Sequence, residues 1–339
     1  MRFPAPLRPG DRIGVTAPSA GVADRFRPRF DVAVAHLRTR GYDVVLGECL
    51  DGSGAVSAPA PRRAAELTAM LTDPSIRAVV PPWGGEMAID LLPHLDWEAI
   101  EGAEPTWLVG YSDVSTLLLP LTLRGIATVH GPNLMDTPYA VPAPLVPWLD
   151  VVTAPRGAVL TQGPSRLHQR AGRDDWEEHP DVTDLIVDTP GRWRRLDADD
   201  PVEVSGRLIG GCVETLTHLT GTSFGDVPGF GAAHATDGLL VYLEVAESGA
   251  FDVGRALHGM RLAGWFDHAS AVLLGRTGAP DAPGFTQEDA VLDALGPLGV
   301  PLLGDLDIGH VPPQMTLVNG ALTTLASSPG RAVLTQTLA

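Results

Sequence analysis

The chain has 339 residues, of which 44% are hydrophobic, so it is long enough to form two domains rather than one ordinary α/β core. Its formal net charge of −17 disfavours nucleic acid or an anionic membrane as a partner, because both require basic surfaces. All 24 basic residues are arginines, which excludes a P-loop lysine, a Schiff-base lysine and a Ser–Lys dyad.

Signals for export and for cofactors are also missing from the sequence. The N-terminal segment MRFPAPLRPGDRIGV has prolines and charges where a secretory signal would be apolar, so we expect a cytoplasmic protein. Cys49 and Cys212 are too few for a disulfide framework and fit two free thiols in a reducing compartment. No HExxH, CxxC, GxGxxG or P-loop pattern occurs, and we therefore expect no metal and no other cofactor.

The first 131 residues alternate short apolar strands with helical patterns. Such alternation predicts βαβ units and a parallel sheet. Ligand sites of these sheets lie beyond the carboxyl ends of the strands, where Ser112 and the pair Gly84–Gly85 fall. We predict strands over residues 12–18, 42–47, 76–82, 106–110 and 126–131, and helices over residues 24–41, 60–73, 86–95 and 113–125.

From about residue 137 to 205 the regular pattern stops. This stretch is first rich in proline and then charged, with two tryptophans, which indicates a connection between domains and a loop over a site. Regular structure resumes with predicted strands over 238–245 and 270–276 and a helix over 286–296. We therefore predict an N-terminal α/β domain over 1–150, a connecting segment over 151–204 and a C-terminal domain over 205–339.

The stretch LVGYSDVSTLL contains the first candidate catalytic residue, Ser112. A serine on a tight turn between a strand and a helix can act as a nucleophile, and the N–H groups of the helix can stabilise an oxyanion. Ser112 or Asp113 could equally be no more than a helix cap. The segment PPWGGEMA also has two interpretations. Its glycine pair can offer backbone N–H groups to a negative charge, or it can only form a turn.

Two further candidates lie in the C-terminal half. Glu244 ends the apolar run LLVYLE, and a buried carboxylate needs a partner, which could be a histidine or a structural arginine such as Arg255 or Arg276. His310, in DIGHVPPQ, follows a strand-like segment and could be an exposed general base. His130, in TVHGPN, has a similar position and is its rival, and either histidine could simply be a hydrogen-bonded loop residue.

Seven segments occur in the order typical of one family: GDRIGVTAPS, VPPWGGEMAIDLLPHLD, LVGYSDVSTLLLPL, TVHGP, GRLIGGCVETLTHLTGT, LLVYLE and DIGHVPPQMTLVNGA. Through them the chain resembles the LD-carboxypeptidase family of serine peptidases, which includes the murein tetrapeptide LD-carboxypeptidases and the microcin C immunity peptidases. The resemblance implies that Ser112 is the nucleophile, Glu244 the acidic member and His310 the general base. It also implies an oxyanion hole made of the backbone N–H groups of Gly85 and Asp113.

The resemblance also implies a fold and a substrate. The expected fold is an N-terminal flavodoxin-like or glutaminase-like α/β domain with a parallel sheet, plus a smaller C-terminal α/β domain, with the active site at their interface. A homodimer without a metal is expected. The substrate would be a small peptide or peptide-nucleotide, either a muropeptide cut at an L,D bond or a peptidyl- or aminoacyl-nucleotide. The alternative is a catalytically silent relative that binds peptides or nucleotides.

Five residues are candidates for substrate binding. Murein-type members usually carry an arginine where this chain has Trp83. Glu86, in GGEMAIDLLPHLD, and the tryptophans Trp176 and Trp193 resemble the immunity branch, in which aromatic residues stack on a nucleotide base. That branch has a basic residue shortly after the glutamate, where this chain has Glu247, so neither branch matches fully.

Overall fold

Short strands and helices alternate along the chain and build two large sheets. They are seen in a computed structural model that describes residues 1–170 and 175–339. The strands are β1 (Arg12–Val15), β2 (Asp43–Leu46), β3 (Ile76–Val79), β4 (Trp107–Gly110), β5 (Thr128–His130), β6 (Val159–Gln162), β7 (Leu167–His168), β8 (Thr189–Pro190), β9 (Arg194–Arg195), β10 (Val202–Cys212), β11 (Leu239–Glu244), β12 (Ala269–Gly275), β13 (Leu302–Leu306), β14 (Leu317–Asn319), β15 (Leu322–Ser328) and β16 (Arg331–Thr337). The α-helices are α1 (Arg27–Thr39), α2 (Ala60–Thr72), α3 (Trp97–Gly102), α4 (Ser115–Leu123), α5 (Trp148–Thr153), α6 (Val213–Leu216), α7 (Val227–His234), α8 (Ala250–Leu262) and α9 (Gln287–Leu295).

The first sheet has the order β14-β5-β4-β3-β1-β2, and β1 to β5 run parallel. A parallel sheet covered by helices is apolar along its central strands, and every residue of β4 is buried. Strands β4 and β5 are neighbours in the sheet and run parallel, so the residues that follow them meet at one edge. This arrangement confirms the predicted α/β fold with a parallel N-terminal sheet.

The second sheet has the order β6-β16-β15-β10-β11-β12-β13-β9, with β10 to β13 parallel and the outer strands antiparallel. All six residues of β11 are buried, including Glu244 at its carboxyl end. Within the described ranges, no helix has the length and apolarity needed to cross a membrane.

The two sheets meet where α4 packs on the end of β10. Ser115, the first residue of α4, accepts a hydrogen bond from the backbone N–H of Cys212 through its Oγ at 3.2 Å. Gly211 permits this approach, because a Cβ there would lie 2.8 Å from Ser115 Oγ. The helix that follows Ser112 is therefore anchored to the sheet that carries Glu244.

The structure departs from the predicted elements at three places. The helix predicted over 86–95 is only a 3-10 turn, Ala88–Leu91, because Pro93 cannot continue a helix. The connecting segment supplies β6 and β9 to the second sheet. In turn β14, from the C-terminal part of the chain, pairs with β5 of the first sheet. The boundaries at 150 and 204 stay a prediction, and strand pairing crosses both of them.

Candidate active site

Ser112 lies on the turn that joins β4 to α4. Its φ angle is +62°, a left-handed conformation that residues with a Cβ rarely adopt, so the backbone is strained at this point. Residues Ser112–Val114 form a 3-10 turn that leads directly into α4. In the described part of the chain no side-chain cap is found at the start of either element, and the Ser112 hydroxyl makes no hydrogen bond. Helix capping alone therefore does not explain this serine.

Glu244 and His310 come together at the carboxyl end of β11. His310 Nδ1 lies 2.8 Å from Glu244 Oε2, and the Glu244 side chain is fully buried. Gly309 has a φ of +91°, and a Cβ there would lie 2.4 Å from the same Oε2, so only glycine lets the histidine approach in this way. The bond fixes the orientation of the imidazole through Nδ1.

The other partners considered for Glu244 lie elsewhere. Arg255 is exposed and pairs with Asp252, three residues earlier in the same helix. Arg276 is buried and donates from Nη1 to Asp307 Oδ1 at 2.6 Å. Of the open alternatives, the pairing with a histidine is the one found in the structure.

His130, the rival base, is buried at the end of β5. Its ring lies edge-on to Tyr242, with ring centroids 5.1 Å apart. Burial lowers the pKa of His130 to about 4, and among the described residues neither ring nitrogen has a hydrogen-bond partner. His130 is not among the residues that line the cavity at Ser112, whereas His310 is.

Gly84 and Gly85 form a turn, residues 83–86, that lies directly against Ser112; we call it the glycine turn. A Cβ on Gly84 would lie 2.9 Å from Ser112 Oγ and 3.1 Å from the backbone nitrogen of Asp113. Gly85 has a φ of +141°, and a Cβ there would lie 2.4 Å from Ser19 Oγ. Both positions therefore require glycine, and the turn brings its backbone next to the hydroxyl.

The Asp113 side chain connects the glycine turn to the start of α4. Its Oδ2 accepts hydrogen bonds from Ser19 Oγ at 2.5 Å and from the backbone N–H of Ala88 at 2.8 Å. Ser19 Oγ in turn accepts from the backbone N–H of Met87 at 3.1 Å. The residues that follow the glycine turn are thus tied to the residue after Ser112.

A cavity of about 760 Å³ opens in front of Ser112 and His310. Trp83 and Trp176, two of the predicted substrate-binding residues, lie on its wall. Trp176 donates from Nε1 to the Tyr139 hydroxyl at 2.7 Å, and the Arg29 guanidinium lies 5.1 Å above its ring. The wall is therefore aromatic on one side and backed by a buried cation.

The other three predicted substrate residues lie off this wall. Trp193 is buried and donates from Nε1 to Asp307 Oδ2 at 2.8 Å. Glu86 and Glu247 are both exposed, and they lie close enough to interact. Burial raises the pKa of Glu86, and the negative charges of Asp113, Glu247 and Glu214 raise it further. A patch of negative potential therefore lies beside the glycine turn.

The sequence reasoning missed the polar residues that follow β5. Asn133 Oδ1 accepts a hydrogen bond from the backbone N–H of Tyr111 at 3.3 Å, next to the proposed nucleophile. Asp136 lies on the cavity wall, and burial raises its pKa to about 6. Their signal was available, because β5 adjoins β4 and residues after adjacent parallel strands meet at one edge.

Comparison with known proteins gives concordant matches over most of the chain. Residues 13–131 match the LD-carboxypeptidase N-terminal domain, and residues 205–325 match the LD-carboxypeptidase C-terminal domain. A putative carboxypeptidase of Streptomyces coelicolor is 30% identical, covering 98% of this chain and 95% of its own. The microcin C7 self-immunity protein MccF of Escherichia coli is 27% identical over 93% of this chain and 90% of its own. A solved structure of MccF with aspartyl sulfamoyl adenosine superposes with a TM-score of 0.82 at 25% identity, covering 98% of both chains.

Proposed function

Because the chain belongs to the LD-carboxypeptidase family of serine peptidases, we propose that it hydrolyses an amide bond through an acyl-enzyme on Ser112. His310 Nε2 takes the hydroxyl proton as Ser112 attacks the carbonyl carbon, and later passes it to the leaving amine. Glu244 holds the imidazole through Nδ1 and stabilises the imidazolium. The observation that carries this proposal is the 2.8 Å bond between His310 Nδ1 and Glu244 Oε2, made by a histidine that shares one cavity with Ser112.

The tetrahedral intermediate needs donors for its oxyanion. The backbone N–H groups of Gly85 and Asp113 are the proposed donors, and the contact of the glycine turn with Ser112 supports this role. Loss of one such donor typically costs about 3–4 kcal/mol of transition-state stabilisation. Water then attacks the acyl-enzyme, with His310 again acting as base.

The preferred substrate is an aminoacyl- or peptidyl-nucleotide. Trp83 and Trp176 on the cavity wall support it, because aromatic rings stack on nucleobases. The carboxylates of Glu86, Glu214 and Glu247 favour a substrate with a free amine near the scissile bond and disfavour an acidic aminoacyl group. The same negative patch makes an amine-bearing peptide, a class that includes muropeptides, the second candidate.

Product analysis tests these assignments. Purified protein is offered lysyl- and aspartyl-sulfamoyl-adenosine and an L,D-tetrapeptide in parallel, and the products are identified by mass spectrometry. We expect cleavage of the lysyl compound in preference to the aspartyl one, and loss of cleavage in Ser112→Ala and His310→Ala but not in the exposed control Ser328→Ala. An active Ser112→Ala protein would refute the nucleophile assignment. If His130→Ala is inactive while His310→Ala is active, the base is wrongly assigned. Cleavage of none of the substrates would favour the silent binding relative.

The assembly and location of the protein are further parts of this proposal. The family resemblance supports a homodimer, and the two buried free thiols, Cys49 and Cys212, support a reducing cytoplasm. Light scattering coupled to size exclusion measures the mass of the particle, and cell fractionation measures its location. A monomer or an exported protein would contradict the respective part.

A further inference from the structure

A second cavity, of about 270 Å³, lies beside the one at Ser112. Gln169 lines both cavities, and Val311, on the wall of the second, lies between His310 and Pro312, which line the first. A substrate whose scissile carbonyl lies at Ser112 could therefore extend past His310 into this second cavity.

The charge of the second cavity is positive although the chain as a whole is acidic. Three arginines line it, namely Arg170, Arg192 and Arg276, against one carboxylate, Asp305. Asp305 already pairs with Arg194, outside the cavity. Neither the Arg170 nor the Arg192 guanidinium has an ion pair within residues 1–170 and 175–339, and both side chains are exposed. Among the described residues, the walls therefore hold two guanidinium groups, those of Arg170 and Arg192, that no ion pair offsets.

The carboxylates near the cavity offset only part of its positive charge, because Asp307 pairs with Arg276 and Asp188 lies beside the backbone of Arg170. Asp307 is fully buried and is shared between Arg276, Ser165 and the indole N–H of Trp193. Asp188 Oδ1 accepts from Thr189 Oγ1 at 2.8 Å and from the backbone N–H of Arg170 at 3.2 Å.

Arg276 carries the most specific signal. Its side chain is 6% exposed, and Nη1 is held by Asp307, so the guanidinium has a fixed orientation. Nε and Nη2 are buried and have no partner among the described residues. These two nitrogens form the edge of a guanidinium that binds a carboxylate or phosphate through two parallel hydrogen bonds. A buried donor without a partner is destabilising, and a bound oxyanion would satisfy both.

We propose that the second cavity binds an anionic group of the substrate, a carboxylate or a phosphate, through Arg276, Arg170 and Arg192. The inference rests on the proposed function, because it takes the substrate to react at Ser112. Arg276 Nε and Nη2 are shielded from solvent, so a side chain of the cavity wall must move before an anion reaches them. Arg170 and Arg192 are exposed and have room to move in this way.

Paired ligands that differ in one negative group test this site. They also show whether the anion that it binds is a phosphate or a carboxylate. Binding to Ser112→Ala protein is measured by calorimetry for AMP against adenosine, and for an L,D-tetrapeptide with a free side-chain carboxylate against its carboxamide. We expect the anionic member of one pair to bind about tenfold or more tightly, because hydrogen bonds between charged groups are stronger than those between neutral groups. The AMP pair reports a phosphate source, and the peptide pair reports a carboxylate source.

Variants on the Ser112→Ala background connect that preference to the arginines. Removing Arg170 and Arg192 together should abolish it, while Arg156→Ala, an exposed arginine away from both cavities, should keep it. Arg276→Lys keeps a cation beside Asp307 but lacks the two-nitrogen edge, and it should also lose the preference. Equal affinity within both pairs, or a preference that survives these changes, would overturn the proposal. Binding is measured without turnover, so the anion-site proposal can fail while Ser112-dependent cleavage is still observed. Cleavage can likewise be absent while the anion preference is observed.

Discussion

The backbone of Ser112 turns sharply because β4 ends at Gly110 and α4 must begin within a few residues. The φ of +62° at Ser112 is kept by the packing around it, since Gly84 leaves no side chain in the space next to the hydroxyl. Strain of this kind persists only when the surrounding structure determines it, and it is concentrated at functional sites.

Substitution of Gly84 tests this arrangement. In Gly84→Ala the new Cβ would lie 2.9 Å from Ser112 Oγ, so either the serine or the glycine turn must move. We expect kcat to fall by about 100-fold, because a displacement of about 1 Å at a reacting group has an effect of that size. Gly259→Ala is the control, since a Cβ there meets nothing within 4 Å. Full activity of Gly84→Ala would show that the turn does not position the nucleophile.

The bond between Glu244 and His310 predicts a large effect of a small change. Glu244→Gln keeps the shape of the side chain but removes the charge that stabilises an imidazolium. The new amide can also hold the His310 imidazole in the wrong tautomer. We expect kcat to fall by roughly three to four orders of magnitude with little change in the melting temperature. Glu203→Gln, at an exposed position of β10, should have wild-type kinetics. A loss of tenfold or less would mean that Glu244 is only a structural partner.

At the scale of elements, the site depends on a loop and a helix that are tied together by Asp113. The Asp113 carboxylate accepts hydrogen bonds from Ser19 Oγ and the Ala88 N–H. The backbone N–H of Asp113 is a proposed oxyanion donor. One residue thus connects both halves of the proposed oxyanion hole. The position of the glycine turn relative to Ser112 is set by this connection rather than by the sheet alone.

Ser19→Ala removes the hydroxyl that bridges Asp113 and Met87. We expect kcat to fall about tenfold while KM changes little, because the turn loses orientation and not its contact surface. Ser57→Ala is a matched control: Ser57 is also buried, and its hydroxyl donates to the Ala17 carbonyl at 2.6 Å rather than to Asp113. Equal kinetic losses in the two variants would indicate a general loosening of the loop.

Local pattern was enough to predict the α/β fold class and the strands that lead to Ser112 and Glu244, and the resemblance of seven segments predicted the family; the fold class and the family are confirmed. The pairing of β14 with β5 could not be predicted, because three residues carry no periodic signal and their partner lies almost 200 positions away. The prediction that Trp193 binds substrate came from the resemblance to the immunity branch and not from any local pattern. The Trp193 indole N–H instead binds a buried carboxylate, a choice made by tertiary contacts.

At the scale of the whole molecule, His130 lies between the two sheets. It ends β5 of the first sheet and packs against Tyr242 of β11 in the second. Burial lowers its pKa from 6.5 to about 4, so the folded protein keeps this histidine neutral at a pH where the unfolded chain protonates it. Its titration therefore couples the packing of the two sheets to pH.

The consequence is a stability term that is present above pH 6.5 and is lost as the pH falls toward 4, with a size of up to about 3 kcal/mol. Asp136 opposes it, because burial raises its pKa from 3.8 to about 6 and the folded state then binds the proton first. His130→Phe isolates the histidine, since it keeps an aromatic ring against Tyr242 and leaves Asp136 in place. We expect its free energy of unfolding, measured with urea at pH 7.5 and 4.5, to fall less on acidification than that of the wild type. His94→Asn, at an exposed position, should follow the wild type. Identical pH profiles for wild type and His130→Phe would mean that His130 is protonated as readily in the folded protein as in the unfolded chain.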